Sequence, residues 1–168
     1  MFPAALSAHL FAAVAVKMYE KMSGTKAAAP AKNPFTDTSD SEVLKAANIG
    51  IVDGYGNGIF RPDQLLSREQ AATMLTRVYK KLTMPGWSIV TDESFPLSFT
   101  MPAKFIDDQY ISGYAYESVY YMAANSILQG DNGLFLPNSN VPGYEAFGGA
   151  QRQHAIIISL RVVENLEA

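Results

Sequence analysis

No cysteine occurs among the 168 residues, which excludes a disulfide framework, thiol catalysis and cysteine-ligated metal. Positive charge is scarce as well. Thirteen Lys and Arg against sixteen Asp and Glu leave a net charge of -3, without the basic excess that neutralises a phosphate backbone. Nucleic-acid binding is therefore not expected. Long hydrophobic runs are also missing: no stretch reaches the roughly 18 strongly apolar residues of a membrane span. Charged residues make up only 17% of the chain, below the usual quarter or so, which points to much packed or partner-facing surface. The two histidines, His9 and His154, lie far apart without metal-ligand spacing. Residues 53–64 resemble a calcium loop only in part, because Tyr55 and Gln64 stand where oxygen-rich acidic ligands are needed. No Gly-x-Ser-x-Gly elbow, phosphate loop or paired-carboxylate pattern occurs. The chain is expected to be no enzyme and to need no cofactor or metal.

What is present begins with an apolar segment. The first sixteen residues are apolar apart from Ser7 and His9, but the basic start of a signal peptide is missing. Lys17-Met18-Tyr19-Glu20-Lys21 instead continues a helical pattern. The spacing predicts a helix over 7–22 with Leu10, Phe11, Val14, Met18 and Met22 on one stripe, stopped by Gly24. Residues 25–33, rich in alanine with Pro30, read as a linker.

Internal repetition organises the rest. Gly50-Ile51-Val52-Asp53-Gly54 faces Ser126-Ile127-Leu128-Gln129-Gly130 at an offset of 76. Asn57-Gly58-Ile59-Phe60-Arg61-Pro62 faces Asn132-Gly133-Leu134-Phe135-Leu136-Pro137 at 75. Arg68, Ala71, Arg77 and Leu82 face Arg152, Ala155, Arg161 and Leu166 at 84, the extra residues falling in the loop 138–150. Upstream, Phe35-Thr36-Asp37 matches Phe105-Ile106-Asp107. Each repeat is thus a Phe-x-Asp lead-in, a short helix (42–48 or 112–125), a glycine turn closing on Phe-x-Pro, and a longer helix (68–82 or 152–166). Leu6-Ser7-Ala8-His9 corresponds to Leu66-Ser67-Arg68-Glu69 at an offset of 60, so the N-terminal helix is the back half of a repeat.

Ser67 is a natural N-cap with Gln70 in the capping-box position. Arg68 then sits in the first helical turn, where unpaired N–H groups and the positive end of the helix dipole favour an anion. Its planar fork can hold a carboxylate at two points. Tyr55 offers a flat face for a sugar ring, and Gly54, Gly56 and Gly58 permit close backbone approach. Phe35, Phe60, Phe105 and Phe135 are expected in the core. Trp87 is expected to plug a hinge between repeats, and 88–100 to form a short extended excursion.

The pattern resembles the S-layer homology domain family. The carriers are Phe35-Thr36-Asp37, the run from Gly50 through Gly54-Tyr55-Gly56 to Phe60-Arg61-Pro62, and the tetrapeptide Ser67-Arg68-Glu69-Gln70. The third repeat is eroded, with Gln151-Arg152-Gln153-His154 as its tetrapeptide; the first keeps Ser7-Ala8-His9-Leu10 without the arginine. The resemblance implies a mainly α fold of helix-turn-helix repeats packed as a pseudo-trimeric bundle. Residues 1–24 would be half of repeat one, 25–33 a linker, 34–83 repeat two, 84–102 a linker, and 103–168 repeat three. It also implies an extracellular cell-wall or surface-layer location. The implied function is non-covalent binding of secondary cell-wall polysaccharide bearing a pyruvate ketal. Ser67, Arg68, Gly54, Tyr55, Gly56, Arg152 and Gln153 would line the grooves between repeats. A structural subunit that keeps the fold and self-assembles is the alternative. The absent first half-repeat would leave apolar surface for a second copy or for upstream sequence, with the N-terminal helix packing on 68–82 and 152–166.

Overall fold

Ser7 in extended backbone (φ -78°, ψ 160°) precedes α1, Ala8–Ser23, and Gly24 in the left-handed region (φ 68°) ends it by giving its N–H to Glu20 O. The coordinates are a computed structural model that describes residues 5–151, 158, 161, 162, 164 and 165. They divide into two compact units. The first comprises Ser7–Gln64 and Arg77–Pro96; the second comprises Met1–Leu6, Leu65–Thr76 and Leu97–Ala168. Among the described residues the regular structure is helical, with only isolated β-bridges beside it.

In the first unit α1 packs on α2, Ser41–Ile49. The buried face of α1 is Ala8, Phe11, Ala12, Ala15, Val16 and Met18, while Leu10, Val14 and Met22 are only half-buried. The expected stripe of large residues is thus displaced towards alanines, whose small side chains allow close approach of a second helix. Asp40 caps α2 by accepting from Glu42 and Val43 N–H, and Gly50 (φ 89°) closes it. The linker is tied at its middle to both helices. Ala27 N–H donates to Glu20 Oε1, and Asn48 Nδ2 donates to Ala28 O.

The lead-in and the glycine turn lock together. The Asp37 carboxylate accepts Phe60 N–H at 2.9 Å and Arg61 N–H at 2.7 Å, while the rings of Phe35 and Phe60 pack 5.2 Å apart. The second unit repeats this in detail. Asp107 accepts Phe135 N–H at 2.9 Å and Leu136 N–H at 2.7 Å, and Phe105 meets Phe135 at 5.2 Å. Even the strained backbone recurs: Asn57, Gly58 and Arg61 take positive φ, as do Asn132, Gly133 and Leu136.

Residues 77–96 complete the first unit. Trp87 is buried there, its indole N–H on Asp92 Oδ1, which also accepts Lys80 Nζ at 2.9 Å. Within the segment 88–100 expected to be extended, Ile89–Ser94 is instead a 3-10 helix, and the remainder is irregular. Ser88 and Thr91 form a reciprocal capping box at its start, a local pairing that outweighs the alternation of apolar residues.

In the second unit Leu6, Leu66 and Ala150, the repeat-equivalent residues ahead of the longer helices, meet. Leu6 N–H donates to Ala150 O (2.8 Å), Ala150 N–H to Leu66 O (2.8 Å), and Leu66 N–H to Leu6 O (3.0 Å). The three bonds form a closed ring, with all three residues buried. The helix α3, Arg68–Thr83, starts from this ring, and its Thr76 hydroxyl bonds Ser118 on α4, Tyr116–Ala124. Ile158, Arg161, Val162, Glu164 and Asn165 are helical, within the helix expected over 152–166.

Candidate functional site

The start of α3 is built by the capping box the sequence announced. Gln70 N–H donates to Ser67 Oγ at 3.2 Å, and Ser67 N–H donates to Gln70 Oε1 at 2.9 Å. The remaining first-turn donors are also occupied. Arg68 N–H goes to Gly148 O and Glu69 N–H to Pro137 O. The expectation of free backbone N–H groups for an anion is therefore corrected: carbonyls from the loop 137–148 have taken them.

The cationic group is the Arg68 side chain itself. Its Nε donates to Phe135 O and its Nη2 to Gln129 O, both at 2.9 Å, and its guanidinium lies 5.0 Å over the Phe135 ring. Burial pushes it down to about 10, against the field of the Asp107 carboxylate, so it remains cationic at neutral pH. Among the described residues no carboxylate forms an ion pair with it. The neighbouring Glu69 is buried and structural: its carboxylate accepts Ser112 N–H, Ser112 Oγ–H and Asn138 Nδ2 at 2.8–2.9 Å.

Arg68 borders a cleft of about 400 Å³ in the second unit. Arg161 stands in it too, with Nη1 3.4 Å from Ile127 O. Ile127, Phe135 and Phe147 give apolar walls, and Asp131 is the one acidic residue among the described residues of the lining. The cleft thus joins the turn of one repeat to the start of the preceding long helix, and among the described residues its lining holds two arginines and one carboxylate.

The first unit holds the equivalent arrangement with its cation deleted. Ala8 N–H and His9 N–H donate to Gln64 O and Pro62 O, as Glu69 donates to Pro137 O. Ala8 occupies the Arg68 position. The His9 ring N–H bonds Pro62 O at 2.8 Å, with Asp63 3.7 Å away. Here lie Gly54, Tyr55 and Gly56. Tyr55 is exposed with Arg61 4.5 Å over its ring, and Arg77 lies 3.8 Å from Asp53. A Cβ on Gly54 would meet Ile59 O at 2.5 Å, so close packing already requires that glycine; a Cβ on Gly56 would meet nothing.

The sequence model of the S-layer homology domain matches residues 34–72 and again 106–141. The chain carries S-layer homology domains. Each match runs from the Phe-x-Asp region through the Phe-x-Pro turn, the two features that the Asp37 and Asp107 carboxylates hold together. No curated protein matches the chain in sequence.

S-layer homology domains are generally cell-wall and surface binding modules, and their presence indicates cell-surface association. Among the described residues no helix is long and apolar enough to cross a membrane. The expected site residues fall into separate places. Ser67 and Arg68 belong to the second unit; Gly54, Tyr55 and Gly56 belong to the first. Arg152 and Gln153 lie outside the described residues. Sequence reasoning missed Arg161 as a cleft residue, although its match to Arg77, which reaches Ile51 O in the same way, was the available signal.

Proposed function

We propose that the cleft of the second unit binds an acidic sugar of secondary cell-wall polysaccharide, a pyruvate ketal, through its carboxylate. The observation that supports this best is the Arg68 guanidinium. It is half-buried, held rigidly by two turn carbonyls, and without a carboxylate of its own among the described residues. Two N–H groups are committed, and the rest of the planar fork remains for a ligand. Arg161 adds a second positive charge, and the apolar walls accept the ring and methyl group of the ketal. Ser67 contributes by fixing the helix start, its hydroxyl being engaged by Gln70.

The test is retention on purified cell wall before and after mild-acid removal of the ketal. The wild-type chain is expected to bind the intact wall and to lose most retention on the treated one. Arg68→Ala should lower affinity for the intact wall by about ten- to a hundred-fold, the loss of a charge-assisted bond. Equal retention on both walls would sink the proposal. Ala8 in place of the arginine favours a second reading for the first unit, in which the fold serves assembly without a sugar site. Light scattering over a concentration series addresses it, since a chain that stays monomeric throughout would not be an assembling subunit.

A further inference from the structure

The loop 138–150 is nine residues longer than its counterpart 63–66 in the preceding repeat: the offset between matching residues widens from 75 to 84 across it. Such a loop would ordinarily be polar, yet it exposes Tyr144 at 42% and Phe147 at 45%. Their ring centroids are 6.4 Å apart, edge to face, and Phe147 forms part of the wall of the arginine cleft. The loop is held in place from both ends. Asn138, which is buried, donates from Nδ2 to Glu69 Oε1 and to Tyr110 O. Gly148 crosses Asn138 so closely that a Cβ would lie 2.2 Å from its carbonyl carbon, and Gly148 O accepts Arg68 N–H. Between these anchors Tyr144 N–H bonds Val141 O and Phe147 N–H bonds Tyr144 O, shaping the short turn Glu145–Phe147.

We propose that Phe147, braced by Tyr144, is a stacking subsite for the sugar that adjoins the anionic residue in the glycan chain. The inference rests on the glycan reading of the cleft and extends it from one sugar to two. The C–H face of a pyranose carries partial positive charge and meets the negative face of an aromatic ring. Phe147 stands at the cleft wall with Tyr144 beside it, so a polymer anchored by its carboxylate on Arg68 lays its next ring there. Because the loop is already ordered, little freedom is lost when the sugar arrives. Stacking is indifferent to charge, whereas the Arg68 contact depends on it, and this separates the two subsites.

Calorimetric titration with purified wall polysaccharide, intact and after mild-acid removal of its ketal, tests the proposal. Phe147→Ala is expected to weaken binding of both polymers by about tenfold. Phe147→Tyr should restore it, and Tyr144→Ala should lower it by a few-fold through the lost brace. Arg68→Ala should weaken only the intact polymer. Phe147→Ala binding the ketal-free polymer as tightly as wild type would overturn the stacking subsite while leaving the anion reading in place. If Phe147→Ala weakens both polymers but Arg68→Ala weakens neither, the anion reading falls and the subsite stands. Wild-type protein that binds neither polymer would overturn both. Far-UV circular dichroism and a cooperative melt that begins well above the assay temperature establish that each variant is folded.

Discussion

Two arginines share one cleft, but only Arg68 also supports the fold, and substitution should separate the roles. Arg68→Ala removes charge-assisted bonds to Phe135 O and Gln129 O and is expected to cost about 1–3 kcal/mol in urea unfolding. Arg161, more exposed and with a single 3.4 Å contact, should lose glycan affinity on change to alanine with stability within about 0.5 kcal/mol of wild type. Glu69→Ala strands the Ser112 N–H that its carboxylate receives, and should cost about 3 kcal/mol, a fall of several degrees in Tm. Asp131 opposes an anion in the cleft, so Asp131→Asn should tighten binding of the intact polysaccharide a few-fold at low salt and less at high salt. Acid sensitivity belongs to this scale too. The N–H groups of Phe60 and Arg61 hold the Asp37 carboxyl below its ordinary 3.8. A depressed folded value stabilises the native state above the unfolded value, and that contribution fades as pH falls from about 4 through the folded value. Asp37→Asn should therefore narrow the stability difference between pH 6 and pH 3, and an unchanged difference would contradict the latch.

Turns and helix ends show where local sequence carries the fold and where it does not. The Ser67–Gln70 cap and the Gly24 stop were legible because both partners lie within a turn of each other. The lead-in aspartates were visible as repeated residues, but their bonds to Phe60 and Phe135 span more than 20 residues, and no pattern names the partner amide. The same blindness produced the error at α3, whose first-turn donors meet Gly148 O and Pro137 O from a distant loop. On α1 the periodicity of large residues concealed the face that matters, since alanine carries little hydrophobic weight yet sets how near α2 can come. Glycine in the first turn also divides by cause. Gly54→Ala forces a Cβ to 2.5 Å from Ile59 O and should cost well over 2 kcal/mol in urea unfolding. Gly56→Ala meets open space, and only its φ of 88° opposes it, at about 1 kcal/mol. Equal losses at the two positions would show that turn conformation, not packing, is what both glycines serve.

At the scale of the whole molecule, the repeat resolves into the ring of Leu6, Leu66 and Ala150. Leu6→Ala keeps the N–H and removes a buried side chain, at about 2–3 kcal/mol. Leu6→Pro also removes the donor to Ala150 O and should cost at least about 1 kcal/mol more in the same unfolding assay; equal losses would mean that the ring bond contributes nothing. The ring also counts. Each member gives one N–H and receives at one carbonyl, always in the same sense around the circle, so three segments close it and no N–H of the ring is left for a fourth. A polypeptide that multiplied this repeat could not extend the same assembly by single additions. It would have to begin another ring, and its stoichiometry would grow in threes.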